Sequence, residues 1–117
     1  MKVEPPRILA PKPPANPAAA LDFEIAQEKA STLGRLGRAL EAALAELRDH
    51  DAQPREDPVT AGQSRRALVA KAGHALWMFV VQRESVGLRD SRQVMRDYGV
   101  PAEVQSRMEM LPVKTSR

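Results

Sequence analysis

The segment Ala67–Val81 (ALVAKAGHALWMFVV) has a helical hydrophobic pattern that is apolar on nearly all sides. Its only strongly polar residues are Lys71 and His74, and it contains the single tryptophan of the chain, Trp77. A helix of this kind must be covered on several faces, and a chain of 117 residues has little other material to cover it. The segment therefore predicts a packed helix, one face of which is covered by a second copy of the chain.

The amino-acid composition gives the chain little with which to build a core of its own. Apolar residues make up 43% of the chain, but a large share of them is alanine, and aromatic residues make up only 3%. Alanine contributes little transfer free energy on burial, so a core built within one copy is thin for this length. The composition therefore also favours self-association, and we expect a homodimer.

Several classes of protein are excluded or disfavoured. The chain has no cysteine, which excludes disulfide bonds and thiolate metal sites. Residues 1–17 contain six prolines and no apolar core, unlike a secretory signal. The apolar run carries Lys71, and at about fifteen residues it is shorter than the roughly twenty that span a bilayer. We expect a cytoplasmic protein without a membrane partner.

Residues 1–15 predict an extended, proline-rich arm outside the helical domain. Prolines remove backbone donors and hold the preceding residues in extended conformations, so this stretch forms neither a helix nor a central strand. The arm contains the apolar pair Ile8 and Leu9. Two interpretations stay open: a disordered tail, or an arm that docks this pair on the core or on a partner.

A single long helix is predicted over residues 17–51. Asn16 and Pro17 supply an N-cap and a proline at the first helical position. Gly34 and Gly37 lie inside the helix, either as tolerated weak points or, at Gly37, as a place of close approach. The larger apolar residues fall on one half of the helix: Leu21, Ile25, Leu33, Leu36, Leu40, Leu44 and Leu47.

A second helix is predicted over residues 58–86, where Asp57 and Pro58 repeat the cap-and-proline start. The short connection makes this helix antiparallel to the first. One apolar stripe, which includes Leu76 and Phe79, can pack on the first helix, but the second apolar face needs a different surface. We expect four of its residues to lie at the subunit contact: His74, Trp77, Met78 and Val81.

Two short helices are predicted near the end of the chain, over about residues 91–98 and 101–110. Asp90 opens the first of them in a capping-box sequence, and Gly99 ends it. Residues 111–117 have no periodic pattern and are predicted to be a frayed tail.

These segments predict one all-α domain over residues 16–110. Its architecture is a long antiparallel helical hairpin with two short C-terminal helices. Two copies are expected to dimerise into a four-helix bundle, because one apolar face of the second helix is left without a surface in the hairpin.

Three arginines near the end of the second helix form a candidate contact for a partner or an anion. Arg83 follows Leu76 and Phe79 on the same stripe, so it needs a carboxylate or carbonyl partner where it is covered. An ordinary ion pair at the helix end is the favoured interpretation. The functional alternative is a site for an anionic ligand or partner, made of Arg83, Arg89 and Arg92.

The two short helices also resemble a helix-turn-helix, in which the second helix reads bases in the major groove. The second helix carries Gln105 and Arg107, and Arg96 lies on the first. Two residues disagree with the helix-turn-helix pattern. Met95 stands where a small residue usually packs against the turn, and the apolar Val104 lies one position earlier than the pattern expects. A nucleic-acid-binding regulator is therefore an alternative function. Two short helices that cap the end of a bundle are favoured, and we do not expect a nucleic-acid partner.

The sequence contains no constellation typical of catalysis or metal binding. Dinuclear metal sites in helical bundles use Glu-x-x-His motifs, and no glutamate precedes either histidine by three residues. Asp49, His50 and Asp51 are adjacent, but adjacent helical residues point in different directions. His74 has no nucleophile or carboxylate nearby in the sequence. We therefore expect no metal, no cofactor and no enzymatic activity.

Four segments of the sequence carry a family resemblance: PANPAAALDFE at Pro14–Glu24, ALWMFVVQRE at Ala75–Glu84, GLRD from Gly87 and YGVP from Tyr98. Together they resemble a family of small uncharacterised bacterial helical proteins. The resemblance covers most of the chain and implies a cytoplasmic α-helical domain without an assigned activity, substrate or site. We expect a non-enzymatic, homo-oligomeric structural or protein-interaction module.

Overall fold

The computed structural model describes residues 16–53 and 57–109, and these form four α-helices. The helices are α1 (Pro17–Ala52), α2 (Pro58–Ser85), α3 (Ser91–Tyr98) and α4 (Ala102–Glu109). The described ranges contain no strand, which confirms an all-α fold of two long and two short helices. The predicted arm over residues 1–15 and the predicted tail over residues 111–117 lie outside the described residues.

The chain divides into two compact units, Met1–Ser31 and Thr32–Arg117, and the boundary falls inside α1. In the first unit, none of residues 16–31 is buried. Leu21 and Ile25 are exposed by 57% and 44%. All buried residues of the described chain belong to the second unit, so the hydrophobic core is a property of that unit alone.

Both long helices begin with a side-chain N-cap at the position that the sequence predicts. Asn16 Oδ1 accepts a 2.7 Å hydrogen bond from a backbone N–H of the first turn of α1. Asp57 Oδ1 accepts one of 3.0 Å from the Val59 N–H in α2. Helix α2 ends at Ser85, one residue before the predicted end, and Gly87 follows with a φ of 92° that glycine adopts without strain.

Within the second unit, α1 and α2 run antiparallel. Arg65 Nε of α2 lies 2.8 Å from Asp51 Oδ1, near the end of α1. Further along α2, the ring of Phe79 lies against Gly37, fourteen residues earlier in α1 than Asp51. Positions in contact therefore rise along α2 as they fall along α1, which is the antiparallel hairpin that the short connection predicts.

The core of the second unit takes side chains from all four helices. Phe79 of α2 and Tyr98 of α3 pack edge to face, with ring centroids 5.3 Å apart. Both lie against Gly37, where an added Cβ would stand 2.9 Å from the Tyr98 hydroxyl. Gly37 is therefore a place of close approach rather than a merely tolerated weak point. The largest fully buried side chains of the core are Leu40, Leu76, Val94 and Val104.

A tight turn around Gly99 separates α3 from α4. Gly99 has a φ of 61°, in the left-handed region that glycine adopts readily at the end of a helix. Helix α4 begins at Ala102 rather than at residue 101, because Pro101 takes the N-cap position and its carbonyl accepts the first helical hydrogen bonds. The helix is described as far as Glu109, and Met110 lies outside the described residues.

Helix α4 packs directly on α2, and the two approach closely at Gly73. An added Cβ on Gly73 would lie 2.9 Å from Cγ, 3.0 Å from Cβ and 3.3 Å from the carbonyl carbon of Arg107. These separations are shorter than ordinary carbon–carbon contact, so a larger side chain fits only when α4 moves. The glycine thus allows α4 to cover a face of α2.

We expect the Gly73→Ala substitution to lower the free energy of unfolding. Overpacking costs about 1–3 kcal/mol, which exceeds the gain of about 1 kcal/mol in helix propensity when alanine replaces glycine. Gly62→Ala is the matched control on the same helix, because its Cβ would meet only the Arg66 guanidinium, at 3.7 Å. Urea unfolding followed by far-ultraviolet circular dichroism should show Gly73→Ala destabilised and Gly62→Ala stabilised. Equal stabilisation of both variants would contradict the close packing of α4.

Candidate functional site

The outer stripe is a row of four side chains on α2: Ala70, His74, Trp77 and Val81. Spacings of four, three and four residues place them on one line along the helix. Ala70 and Trp77 are half-buried, whereas His74 and Val81 are exposed, and Met78 beside the line is exposed as well. The outer stripe is therefore largely open to solvent.

The residues that the sequence predicts at a subunit contact lie together on this side of α2. His74 and Trp77 stack, with ring centroids 6.4 Å apart and an angle of 26° between the ring planes. Val81 is exposed by 43% and Met78 by 37%. Their role as a subunit contact stays a prediction.

Other helices cover two further sides of α2. Leu76 and Phe79 are buried in the core, and the Phe79 ring lies against Gly37 of α1. Gly73 is buried under α4. Helix α4 therefore covers the side of α2 at Gly73, and the exposed His74 and Val81 lie outside both contacts.

A groove of about 620 Å³ runs between α2 and α4 and adjoins the outer stripe at Ala70. Ala67, Val69 and Ala70 form the apolar part of its wall. Arg66 and Arg107 bring two guanidinium groups to the groove, and neither makes an ion pair with another residue in the described part of the chain. The groove therefore suits an incoming surface that combines an apolar side chain with a carboxylate.

One ion-pair network joins three helices near the loop end of the hairpin. Arg65 of α2 donates to Asp51 of α1 from Nε and Nη2, at 2.8 and 3.1 Å. The same guanidinium donates to Glu103 of α4, from Nη1 at 2.9 Å and also from Nη2. These hydrogen bonds hold the pKa of both carboxyl groups below its usual range and raise the pKa of Arg65.

The sequence reasoning missed this network. Arg65 lies 14 residues from Asp51 and 38 residues from Glu103, and no local periodicity connects positions so far apart. The available signal was the position of Asp51 at the predicted end of the first helix, close to the predicted start of the second. Only the placement of α4 brings Glu103 to the same guanidinium.

Arg83 forms no ion pair with another described residue, although the sequence favours one. Its guanidinium carbon lies 5.9 Å from the ring centroid of Phe79, a cation–π arrangement, and its side chain is half-buried. Its buried Nε makes no hydrogen bond with the described residues. Arg89 and Arg92 are exposed. A shared anion or partner site of these three arginines stays a prediction.

The polar residues that the helix-turn-helix interpretation uses are partly engaged inside the protein. The side-chain amide of Gln105 donates a 3.0 Å hydrogen bond to the Val100 carbonyl, and Val104 is fully buried. The stem of Arg107 lies against Gly73. Helix α4 therefore takes part in packing on α2, and the alternative function of nucleic-acid binding stays untested.

Neither a cluster of metal ligands nor a membrane-spanning helix occurs among the described residues. Within residues 16–53 and 57–109, no group of three or more potential metal ligands is arranged around a common point. His50 Nδ1 lies 3.6 Å from Asp51 Oδ1, but Asp51 is already bound by Arg65. None of the described helices combines the length and the apolar character that crossing a bilayer requires.

Comparison with known proteins gives a family but no activity. A family model described as a family of unknown function (DUF6665) matches residues 7–115, which include all four helices. This match confirms the resemblance to proteins without an assigned function. No curated protein and no solved structure matches the chain.

The Arg65 network predicts a loss of stability in acid. Asp51 and Glu103 have a lower pKa in the folded than in the unfolded chain, so their contribution is complete above the ordinary values of 3.8 and 4.5. It is lost as the pH falls through the lowered values. Unfolding in urea between about pH 6 and pH 3 should therefore show a shallower acid dependence for Arg65→Gln than for the unsubstituted chain.

A second ion pair supplies the control for this experiment. Lys71 Nζ lies 2.7 Å from Glu46 Oε1, but both side chains are at least half exposed, and exposed pairs of this kind contribute little. Lys71→Gln should keep the acid dependence of the unsubstituted chain. An unchanged acid dependence in Arg65→Gln would show that the network does not link stability to pH.

Proposed function

We propose a non-enzymatic role, as a homo-oligomeric structural or protein-interaction module, for a chain that belongs to the family of unknown function DUF6665. The proposed assembly is a homodimer in the cytoplasm. Its subunit contact is the outer stripe of α2 together with Met78. Two copies of the α1–α2 hairpin would then form a four-helix bundle.

The observation that carries this proposal is the exposure of the outer stripe. Contiguous exposed apolar side chains bordered by charged residues are typical of interaction surfaces, whereas apolar side chains exposed singly are not. Trp77 is the residue from which most binding free energy is expected, because tryptophan at the centre of an interface is often a hot spot. The exposed Val81 and Met78 surround it with further apolar surface.

The remainder of α2 supports the same proposal. Leu76 and Phe79 are buried against the core, and Gly73 is buried under α4. Two sides of the helix are thus covered by the chain itself. His74 and Val81 of the outer stripe stay exposed among the described residues of the second unit, and a second copy supplies a surface of the same kind.

We expect Val81→Glu to convert the dimer to a monomer. A valine that becomes buried on dimerisation contributes about 1.5–3 kcal/mol in each copy, and a buried carboxylate adds a cost, so the dissociation constant should rise at least about a hundredfold. Light scattering after size exclusion should give 12.9 kDa for this variant and twice that mass for the unsubstituted chain. The emission of Trp77 should shift to longer wavelength as its ring becomes exposed.

Ile25→Glu is the matched control, because Ile25 is exposed by 44% and Val81 by 43%. It lies in the first unit, on α1. This variant should keep the mass and the Trp77 emission of the unsubstituted chain. If Ile25→Glu dissociates the dimer and Val81→Glu does not, the contact lies on α1 and the proposed contact on α2 is wrong.

A further inference from the structure

We infer that the second copy binds through its own outer stripe, with the two α2 helices antiparallel and related by a two-fold axis. The inference rests on the proposed function and names the geometry of that dimer. In a two-fold contact both copies use the same surface, so whenever residue i of one copy meets residue j of the other, the reverse contact also forms. The outer stripe and the charged residues beside it, Arg66 and Glu84, form complementary pairs in the antiparallel orientation.

The spacing of the outer stripe reads the same in both directions. Its residues are separated by four, three and four positions, so an antiparallel copy presents the same sequence of gaps. Aligning the two stripes places Ala70 opposite Val81 of the second copy, and His74 opposite Trp77 of the second copy. The smallest side chain of the stripe thus meets the branched Val81, and the two aromatic rings meet each other at the centre.

The charges beside the outer stripe complement each other in the same alignment. Arg66 and Glu84 are both exposed and make no ion pair with another described residue. They are eighteen residues apart, which is five turns of about 3.6 residues, so they lie on the same side of the helix. In an antiparallel two-fold pair, Arg66 of each copy comes beside Glu84 of the other, which makes two equivalent ion pairs.

A parallel arrangement lacks these pairs. It leaves Arg66 and Glu84 at opposite ends of the contact, separated by about 27 Å along the helix axis. The antiparallel arrangement also uses the groove between α2 and α4. Val81 and Glu84 of the second copy arrive at the end of the stripe where Ala70 forms apolar wall and where Arg66 and Arg107 line the groove.

Cross-linking tests the orientation directly, because the chain has no cysteine of its own. In the antiparallel dimer, positions 70 and 81 of different copies face each other, whereas the two copies of position 70 lie about 16 Å apart. A disulfide needs Cα atoms within about 7 Å. The double variant Ala70→Cys, Val81→Cys should therefore form a covalent dimer on mild oxidation, and each single variant should stay uncross-linked.

Mixing the two single-cysteine variants tests the same geometry a second time. Equal amounts of Ala70→Cys and Val81→Cys should give a cross-linked heterodimer after exchange of subunits. Efficient cross-linking of each single variant alone would show a parallel pair and overturn the inference. Absence of any cross-link in a chain that has the mass of a dimer would also overturn it, and would leave the proposed homodimer standing.

Charge reversal supplies a test that leaves the apolar stripe intact. Arg66→Glu or Glu84→Arg should raise the dissociation constant about tenfold, because each reversal places like charges together twice. The double variant Arg66→Glu, Glu84→Arg should restore the affinity, since both pairs are formed again with exchanged signs. Additive effects of the two reversals would overturn the pairing. A monomeric unsubstituted chain would overturn the proposed function itself.

Discussion

The contact of α4 with α2 at Gly73 determines how much of the apolar helix the chain covers by itself. Helix α2 has apolar residues around most of its circumference, and α1 meets only one side of it. Without a Cβ at position 73, the backbone and stem of Arg107 lie directly on the helix. That approach places Val104 in the core and covers a second side of α2. The side that is left carries the outer stripe.

The charged contacts complement this packing without producing it. Arg65 holds Asp51 and Glu103 at the loop end of the hairpin and so fixes α1, α2 and α4 relative to one another. Such partly exposed pairs contribute modestly to stability, but a guanidinium bound to two carboxylates restricts geometry. At the other end of α2, the guanidinium of Arg83 lies over the Phe79 ring and pairs with no carboxylate of the described residues. Apolar packing therefore sets the arrangement of the helices, and the Arg65 network fixes their orientation at the loop end of the hairpin.

Much of the helical architecture could be predicted because its signals are local. Asn16 and Asp57 cap the helices that they precede, and the antiparallel arrangement follows from the short connection between α1 and α2. What could not be predicted depends on contacts between distant segments. Gly62 and Gly73 look alike in the sequence, yet one has only a flexible arginine nearby and the other lies under α4. The difference exists only once α4 is in place.

The candidate site followed from the sequence in part. Periodicity alone separates His74, Trp77 and Val81 from the side of α2 that meets α1, because the helical repeat fixes which residues share a face. Periodicity does not show that α4 packs on the neighbouring side of α2 at Gly73, nor that Arg66 borders an open groove. These features reduce a broad apolar face to one narrow stripe with charges beside it.

The mass of the unsubstituted chain in solution shows whether a second copy covers the outer stripe. Sedimentation equilibrium over a range of micromolar concentrations is the appropriate measurement. We expect a mass of twice 12.9 kDa that falls toward 12.9 kDa only on dilution. A mass of 12.9 kDa at every concentration would contradict it, because Trp77 and Val81 would then be left without a second copy to cover them.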